Sequence, residues 1–197
     1  MKNRAVFLDR DGTLNKDAGY LNSFNQVEIF PDSFKAVRRI NKAGLLAVIV
    51  TNQSGIGRGL IQEKTLKTIH RKLEASFAQQ EAYFAGIYYC PHYHSSNDPK
   101  YKKICSCRKP NPEMALKAAA DLNIDVSTSY MVGDKVEDIL FGRNINAKPI
   151  LVMTGFGPKT LPKLKEKGIT PAFIAPNLLE AVNWILHSEK SLCSPED

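Results

Sequence analysis

With 197 residues, 43% of them hydrophobic, the chain is long enough for one α/β domain around a well-buried core. Its formal net charge of +7 favours anionic partners, phosphorylated metabolites among them. The basic residues are scattered, in blocks no longer than Lys102-Lys103 or Arg108-Lys109, and lack a regular interleaving with aromatic residues, so a nucleic-acid partner is not expected.

Ala5–Leu8 is a short apolar run ending in Asp9, the pattern of a buried parallel strand. Asp9, Arg10 and Asp11 break that run far short of a secretory h-region or a membrane span, so no membrane partner is expected and the protein reads as soluble and cytoplasmic. A monomer is the expectation, although no sequence feature decides the oligomeric state. Pro31 and Asp32 start a helix with Phe34, Val37 and Ile40 on its apolar side, and Gly44 stops it. "LLAVIV" (45–50) is a second buried strand that ends in the polar, glycine-rich loop "TNQSGIGRG". Leu66, Ile69, Leu73 and Phe77 recur at helical spacing and predict an amphipathic helix over 62–80. A third strand, "AGIYYC", leads into a cysteine-bearing loop. Pro112 begins a helix through about Leu122, and "YMV" (130–132) is a strand followed at once by "GDK". "PILVM" (149–153) and "AFI" (172–174) are the last strands. A helix from about Leu178 to Leu186 closes a domain expected over 1–187, leaving 188–197 as a frayed polar tail in which Cys193 is a free thiol.

Strands alternating with helices predict an α/β fold, a Rossmann-like parallel sheet with helices on both faces. Ligands of such folds bind at the carboxyl ends of the strands. Four polar clusters fall there: Asp9-Arg10-Asp11, Thr51-Asn52, Arg108-Lys109 and Asp134-Lys135. A strand-end carboxylate can attack phosphorus and form an aspartyl-phosphate. A second carboxyl two residues on can protonate the leaving oxygen and later deprotonate water. With Asp134 from a neighbouring strand, these carboxylates also suit an oxygen-rich Mg²⁺ site.

Cys90-x-His92 and Cys105-x-Cys107 supply four ligands suited to tetrahedral Zn²⁺. Each pair is spaced i, i+2, so in extended chain both members point to one side; His94 shares that side, and spacing does not separate it from His92. All four positions are filled by protein, which makes the expected zinc structural. It lies directly before Arg108 and Lys109, where it would fix the loop that carries them.

The stretch "FLDRDGTLN", with Thr51, Lys109 and "GDKVED" after it in order, resembles the haloacid-dehalogenase-like phosphohydrolases from end to end. The resemblance implies Asp9 as nucleophile and Asp11 as general acid/base. It implies Mg²⁺ held by Asp9, Asp134 and the backbone carbonyl of Asp11, with Thr51 and Lys109 on the transferring phosphoryl group. Asp138 is expected to orient its neighbours and not to be a ligand. Residues 12–50 and 52–108 are already filled by the elements above, so no separate cap domain is expected and loops must grip the substrate. "DAGY" (17–20), "TNQSGIGRG", "CSCRKPNP" and "GDK" are similar to the heptose bisphosphate phosphatases and their histidinol-phosphatase relatives. By that likeness Asp17, Gly19, Tyr20, Asn52, Gln53, Ser54, Arg108 and Lys135 would contact the sugar or its second phosphate. The implied reaction removes the phosphate at carbon 7 of a heptose 1,7-bisphosphate, toward nucleotide-activated heptose for lipopolysaccharide. Histidinol phosphate is the alternative substrate, and a nucleic-acid 3′-phosphate a more distant one. One departure from the group is "LFGRNIN" after Asp138, where small residues are usual; it bears on helix packing.

Overall fold

The computed structural model describes residues 2–193, the side chains of 190–193 excepted. Six strands form one parallel sheet: β1 (Ala5–Leu8), β2 (Leu46–Asn52), β3 (Gly86–Cys90), β4 (Tyr130–Gly133), β5 (Lys148–Val152) and β6 (Phe173–Ala175). Their spatial order is β3-β2-β1-β4-β5-β6. Between them run α1 (Pro31–Lys42), the single turn α2 (Ser54–Gly57), α3 (Glu63–Ala78), α4 (Glu113–Leu122), α5 (Val136–Asn144), α6 (Gly157–Glu166) and, last, α7 (Leu178–Cys193).

The period of two in β1 sorts its side chains between two cores. Val6 and Leu8 join Ala36, Val37 and Ile40 of α1, Leu73 and Phe77 of α3, and Val182 and Ile185 of α7. Ala5 and Phe7 face Met114, Ala115 and Ala118 of α4 and Phe141 of α5 on the other side. The strands are therefore buried on both faces, and their continuous apolar runs follow from that. In α5 the larger residue is accommodated directly: Phe141 is fully buried, and Gly142 sits so close to β4 and β5 that an added Cβ would lie 3.0 Å from Met131 and Pro149.

Strand order reverses between β1 and β4, so the crevice beyond their carboxyl ends is the switch point at which open α/β sheets bind ligands. Asp9 follows β1 and Asp134 follows β4, and the two elements are tied there by the Asp9 N–H donating to the Val132 carbonyl at 2.9 Å. Among the described residues, no folded unit is inserted over this edge. The excursion after Asp11 is a small one, held by bridges from Asn15 to Asp11 and Ile29 and by a 3-10 turn at Phe24–Gln26.

Two elements differ from the sequence reading. α6 is a helix between β5 and β6, a stretch with Gly157, Pro158 and Pro162 to which the sequence reading assigns no element. Pro158 occupies the first turn, where its missing N–H costs nothing, and Leu164 drives the rest by packing on Ile139 and Leu151. α7 runs to Cys193 instead of ending near Leu186, so 188–193 continue the helix and do not form a frayed tail. Glu189 anchors this extension by accepting from Arg4 and from the Tyr130 hydroxyl. The Cys193 side chain and residues 194–197 lie outside the described residues. No helix among the described residues is long and apolar enough to cross a membrane.

Candidate active site

The strand ends converge on a cleft of about 260 Å³ whose walls include Asp9, Asp11, Thr51, Lys109 and Asp138, with Arg108 and Lys135 at its rim. At its floor, Asp9, Asp134 and Asp138 each place a carboxylate oxygen within 4.8 Å of the others, and all three residues are buried. The Lys109 ammonium enters this cluster, 2.7 Å from Asp9 Oδ1 and 2.6 Å from Asp138 Oδ1, and donates also to the Val50 carbonyl at 2.8 Å.

Three buried carboxylates outweigh the ammonium groups beside them. Burial pushes the Asp9 carboxyl up to about 6, with Lys109 opposing the shift. Asp134 is pushed up to about 8 by burial and then by the charges of Asp9 and Asp138. Lys109 is raised despite its burial, because Asp138 and Asp9 favour its charged form. Such a site gains from a hard cation.

Asp134 shows how the backbone shapes that site. Gly12 (φ +94°) and Gly155 (φ +54°) close on its Oδ2; a Cβ at either would lie 2.1 or 2.2 Å from that atom. Oδ2 accepts from the Phe156 N–H at 2.7 Å, while the buried Oδ1 has no hydrogen-bond partner among the described residues. Thr154 Oγ1 donates to the Gly12 carbonyl at 2.7 Å and ties the two glycine turns together. An orphaned carboxylate oxygen beside two more carboxylates fits a Mg²⁺ ion. The loop 154–156 is absent from the sequence reading; glycine spacing in "TGFG" after a strand is the signal it offered.

Asp11 is arranged differently from Asp9. Its Oδ1 accepts from Arg10 Nε and Asn15 Nδ2, both at 3.0 Å, and its Oδ2 from Arg10 Nη2 at 2.7 Å and Gln53 Nε2 at 2.9 Å. Burial pushes this carboxyl up, but the Arg10 charge and these hydrogen bonds outweigh it and hold Asp11 below the ordinary value.

The expected sugar contacts divide. Arg108 is exposed, and Ser54, at the start of α2, borders the cleft. Lys135 Nζ pairs with Asp17 Oδ2 at 2.9 Å, and the Gly19 N–H donates to Asp17 Oδ1 at 3.0 Å, so "DAGY" reaches the site through Lys135. Tyr20 lies against α2, where a Cβ at Gly55 would meet its ring at 2.7 Å. Gln53 turns inward: its amide donates to both Thr51 Oγ1 and Asp11 Oδ2 at 2.9 Å, which positions those residues and leaves no amide N–H for a sugar. Asn52 clasps the backbone of Lys109, its Nδ2 donating to the carbonyl at 3.2 Å and its Oδ1 accepting from the N–H at 3.0 Å. Asp138, expected to orient its neighbours, accepts from Lys109 and from the Lys135 N–H at 3.0 Å, but it also belongs to the carboxylate cluster.

Cys90, His92, Cys105 and Cys107 form a second cluster, their ligand atoms again within 4.8 Å of one another. Sulfur–sulfur distances are 3.4 Å (Cys90–Cys105) and 3.3 Å (Cys105–Cys107), and His92 Nδ1 lies 3.1 Å from Cys107 Sγ. With Zn–S bonds of about 2.3 Å, this packing fits one tetrahedral ion, and burial keeps His92 below its ordinary value, in the neutral form that ligates. His94 is not in the cluster; its ring tilts on Tyr93. A further tie, which sequence reasoning missed, holds the same loop to α3: Glu63 accepts from Tyr89 Oη and Tyr101 Oη at 2.8 Å and from Lys100 Nζ at 3.0 Å.

A curated D-glycero-beta-D-manno-heptose-1,7-bisphosphate 7-phosphatase of Pasteurella multocida is 46% identical over 77% of this chain and 83% of its own length. The chain belongs to the haloacid-dehalogenase-like phosphatases, in the heptose bisphosphate phosphatase family. The Escherichia coli enzyme of the same name is 40% identical over 93% of this chain and 88% of its own. The family model described as HAD-hydrolase-like matches residues 106–181. Among solved structures, the D,D-heptose 1,7-bisphosphate phosphatase of B. bronchiseptica, complexed with magnesium and phosphate, superposes with a TM-score of 0.82 at 31% identity, covering 94% of this chain and 99% of that one.

Proposed function

We propose that this phosphatase hydrolyses the phosphate at carbon 7 of D-glycero-D-manno-heptose 1,7-bisphosphate through an aspartyl-phosphate on Asp9, with Mg²⁺ as its catalytic ion. The observation that carries the reading is the floor of the cleft, where Asp9 meets Lys109 at 2.7 Å beside Asp134 and Asp138 at the switch point of the sheet. The sugar is assigned on the names of relatives that align with most of the chain.

Asp9, Asp134 and the Asp11 carbonyl would hold the Mg²⁺, which supplies neutralisation of charge on the phosphoryl oxygens. Asp9 attacks phosphorus in line with the leaving oxygen. Lys109 keeps Asp9 ionised and, with Thr51, donates to the equatorial oxygens as charge redistributes. Asp11 rests as a carboxylate; a phosphoryl group arriving beside it raises its proton affinity, so that it takes a proton from solvent and passes it to the departing alkoxide. In the second half-reaction Asp11 takes a proton from water, which attacks the aspartyl-phosphate and restores Asp9. Arg108 and Lys135, at the cleft rim, are the groups assigned to the distant phosphate.

Zinc at the Cys₃His cluster has a structural role in this reading, and a cytoplasmic setting suits both its cysteines, which form no disulfide, and the sugar phosphate.

The test is Mg²⁺-dependent phosphate release from a panel: both anomers of the heptose bisphosphate, histidinol phosphate and a 3′-phosphorylated oligonucleotide. The reading expects the highest kcat/KM with the bisphosphate, and a heptose 1-phosphate as product. Preference for histidinol phosphate or the oligonucleotide would overturn the assigned substrate.

A further inference from the structure

Arg10 is the largest of the fully buried side chains, 1% exposed, and lies between the two aspartates of the reaction. Burying a guanidinium is expensive, and an apolar side chain in its place would often cost less. Its partners therefore show what it is for. Nε and Nη2 form a two-pronged pair with Asp11 at 3.0 and 2.7 Å. Nη1 lies 3.0 Å from Nε2 of His70, a buried residue on the inner face of α3 that does not line the catalytic cleft.

An arginine can only donate, so His70 Nε2 accepts and the ring proton sits on Nδ1. Burial, and then the Arg10 charge, hold this imidazole neutral, its value pushed down to about 3. Tyr89 braces the ring edge-on, with centroids 5.6 Å apart. The guanidinium is thus gripped at both edges, by the acid/base carboxyl on one side and by an imidazole fixed in the helix on the other. Held at both edges, the fork adds to the Asn15 and Gln53 hydrogen bonds in restraining the carboxyl plane it grips.

We propose that His70, acting through Arg10, is a positioning residue that fixes the carboxyl of Asp11 in the direction of the leaving oxygen. The proposal rests on the acid/base role assigned to Asp11 above. In that step the Asp11 proton moves to the ester oxygen as the P–O bond breaks and its electron pair passes to that oxygen; Arg10 and His70 exchange no proton. Their contribution is alignment, so it matters in proportion to how much the leaving group needs the proton.

The experiment compares kcat/KM, which reports the steps through P–O cleavage, for an alkyl phosphate and an aryl phosphate. The alkyl ester is heptose bisphosphate, or whichever alkyl ester of the panel the wild type prefers. The aryl ester is p-nitrophenyl phosphate, whose leaving group departs without a proton. His70→Leu removes the acceptor and should lower the alkyl value by about 10²-fold while changing the aryl value by less than about threefold. His70→Gln offers a carbonyl oxygen to Arg10 and should recover most of the loss. Arg10→Lys, which keeps the charge but cannot span Asp11 and His70 together, should repeat the alkyl-selective loss and serves if His70→Leu fails to fold.

Asp11→Asn is the reference. If it shows no preference for the aryl ester, Asp11 is not the acid and the mechanism falls with the proposal. If it shows that preference but His70→Leu and Arg10→Lys lower both esters equally, the pair is only structural and the proposal alone is overturned.

Discussion

The carboxylate cluster and the Cys/His cluster are built in opposite ways. Asp9 and Asp134 follow adjacent strands whose register is fixed by backbone pairing, and Asp138 sits in the first turn of α5, so their positions are set by the sheet. Of the Cys/His cluster only Cys90 lies in a strand; His92, Cys105 and Cys107 are on the long loop between β3 and α4, half-buried. The first cluster is preorganised by the fold and calls for a cation. The second gathers side chains from a long loop, where the proposed zinc would hold them together. Arg108 and Lys109 separate the two effects. Lys109 is 3% exposed and gripped by Asp9, Asp138, the Val50 carbonyl and the Asn52 clasp, all independent of the Cys/His cluster. Arg108 is exposed; its carbonyl accepts from the Asn111 N–H at 2.9 Å, a contact within the loop itself.

The largest effect should come from the carboxylates. Asp9→Asn should lower turnover by at least about 10³-fold, since an amide cannot attack phosphorus, while zinc content measured by mass spectrometry stays unchanged. Loss of zinc in that variant would show that the clusters are not independent. Next come the two neighbouring cations. Lys109→Ala should cost about 10²–10³-fold with any phosphate ester, because it removes a donor to the phosphoryl group and leaves Asp9 and Asp138 facing each other. Arg108→Ala should cost far more with the bisphosphate than with p-nitrophenyl phosphate. Equal losses with both esters would erase the distinction between these residues.

A smaller effect concerns proton competition at the first cluster. Asp9, raised to about 6, and Asp134, raised to about 8, bind protons that Mg²⁺ must displace. Apparent Mg²⁺ affinity, followed by calorimetry, should therefore rise by roughly tenfold or more from pH 6 to pH 8. The same shifts carry a sign for stability. A carboxyl raised above its unfolded value favours the fold at low pH, so metal-free protein should lose stability as pH climbs from about 4 to 8, and Mg²⁺ should restore it. Affinity that is flat over this range would contradict the charge reading. The smallest effect is at Glu63. Glu63→Gln weakens the knot with Lys100, Tyr101 and Tyr89 and should speed protease cleavage within 95–103 while changing kcat/KM by less than about threefold, because partly exposed ion pairs contribute little.

Much of this was legible in the sequence because it is carried by local patterns. Strand ends followed by polar residues pointed to Asp9, Thr51 and Asp134, and i, i+2 spacing picked out Cys90, His92, Cys105 and Cys107, which the fold brings together in one cluster. What was not legible depends on pairs far apart in the chain. Nothing near His70 announces that its ring will meet Arg10, and the apolar stripe of α3 makes it read as one more core position. The "TGFG" turn acquires its role only when β5 places it against Gly12. Gln53 looks like a substrate contact by its loop, but in three dimensions its amide is shared between Thr51 and Asp11. The helical run of α6 was hidden by two prolines, which burial of Leu164 overrides.

The division between a site that the fold builds and a loop that zinc is proposed to hold is tested most directly by removing zinc alone. Protein stripped of both metals, verified zinc-free and resupplied only with Mg²⁺ should keep most of its activity toward p-nitrophenyl phosphate, because the Lys109 clasp survives. Its kcat/KM toward the bisphosphate should fall by about 10²-fold, since a displacement of ~1 Å at Arg108 suffices for that, and residues 91–107 should become protease-sensitive in the same sample. Full activity toward the bisphosphate in zinc-free protein, or an equal loss with both esters, would contradict the account.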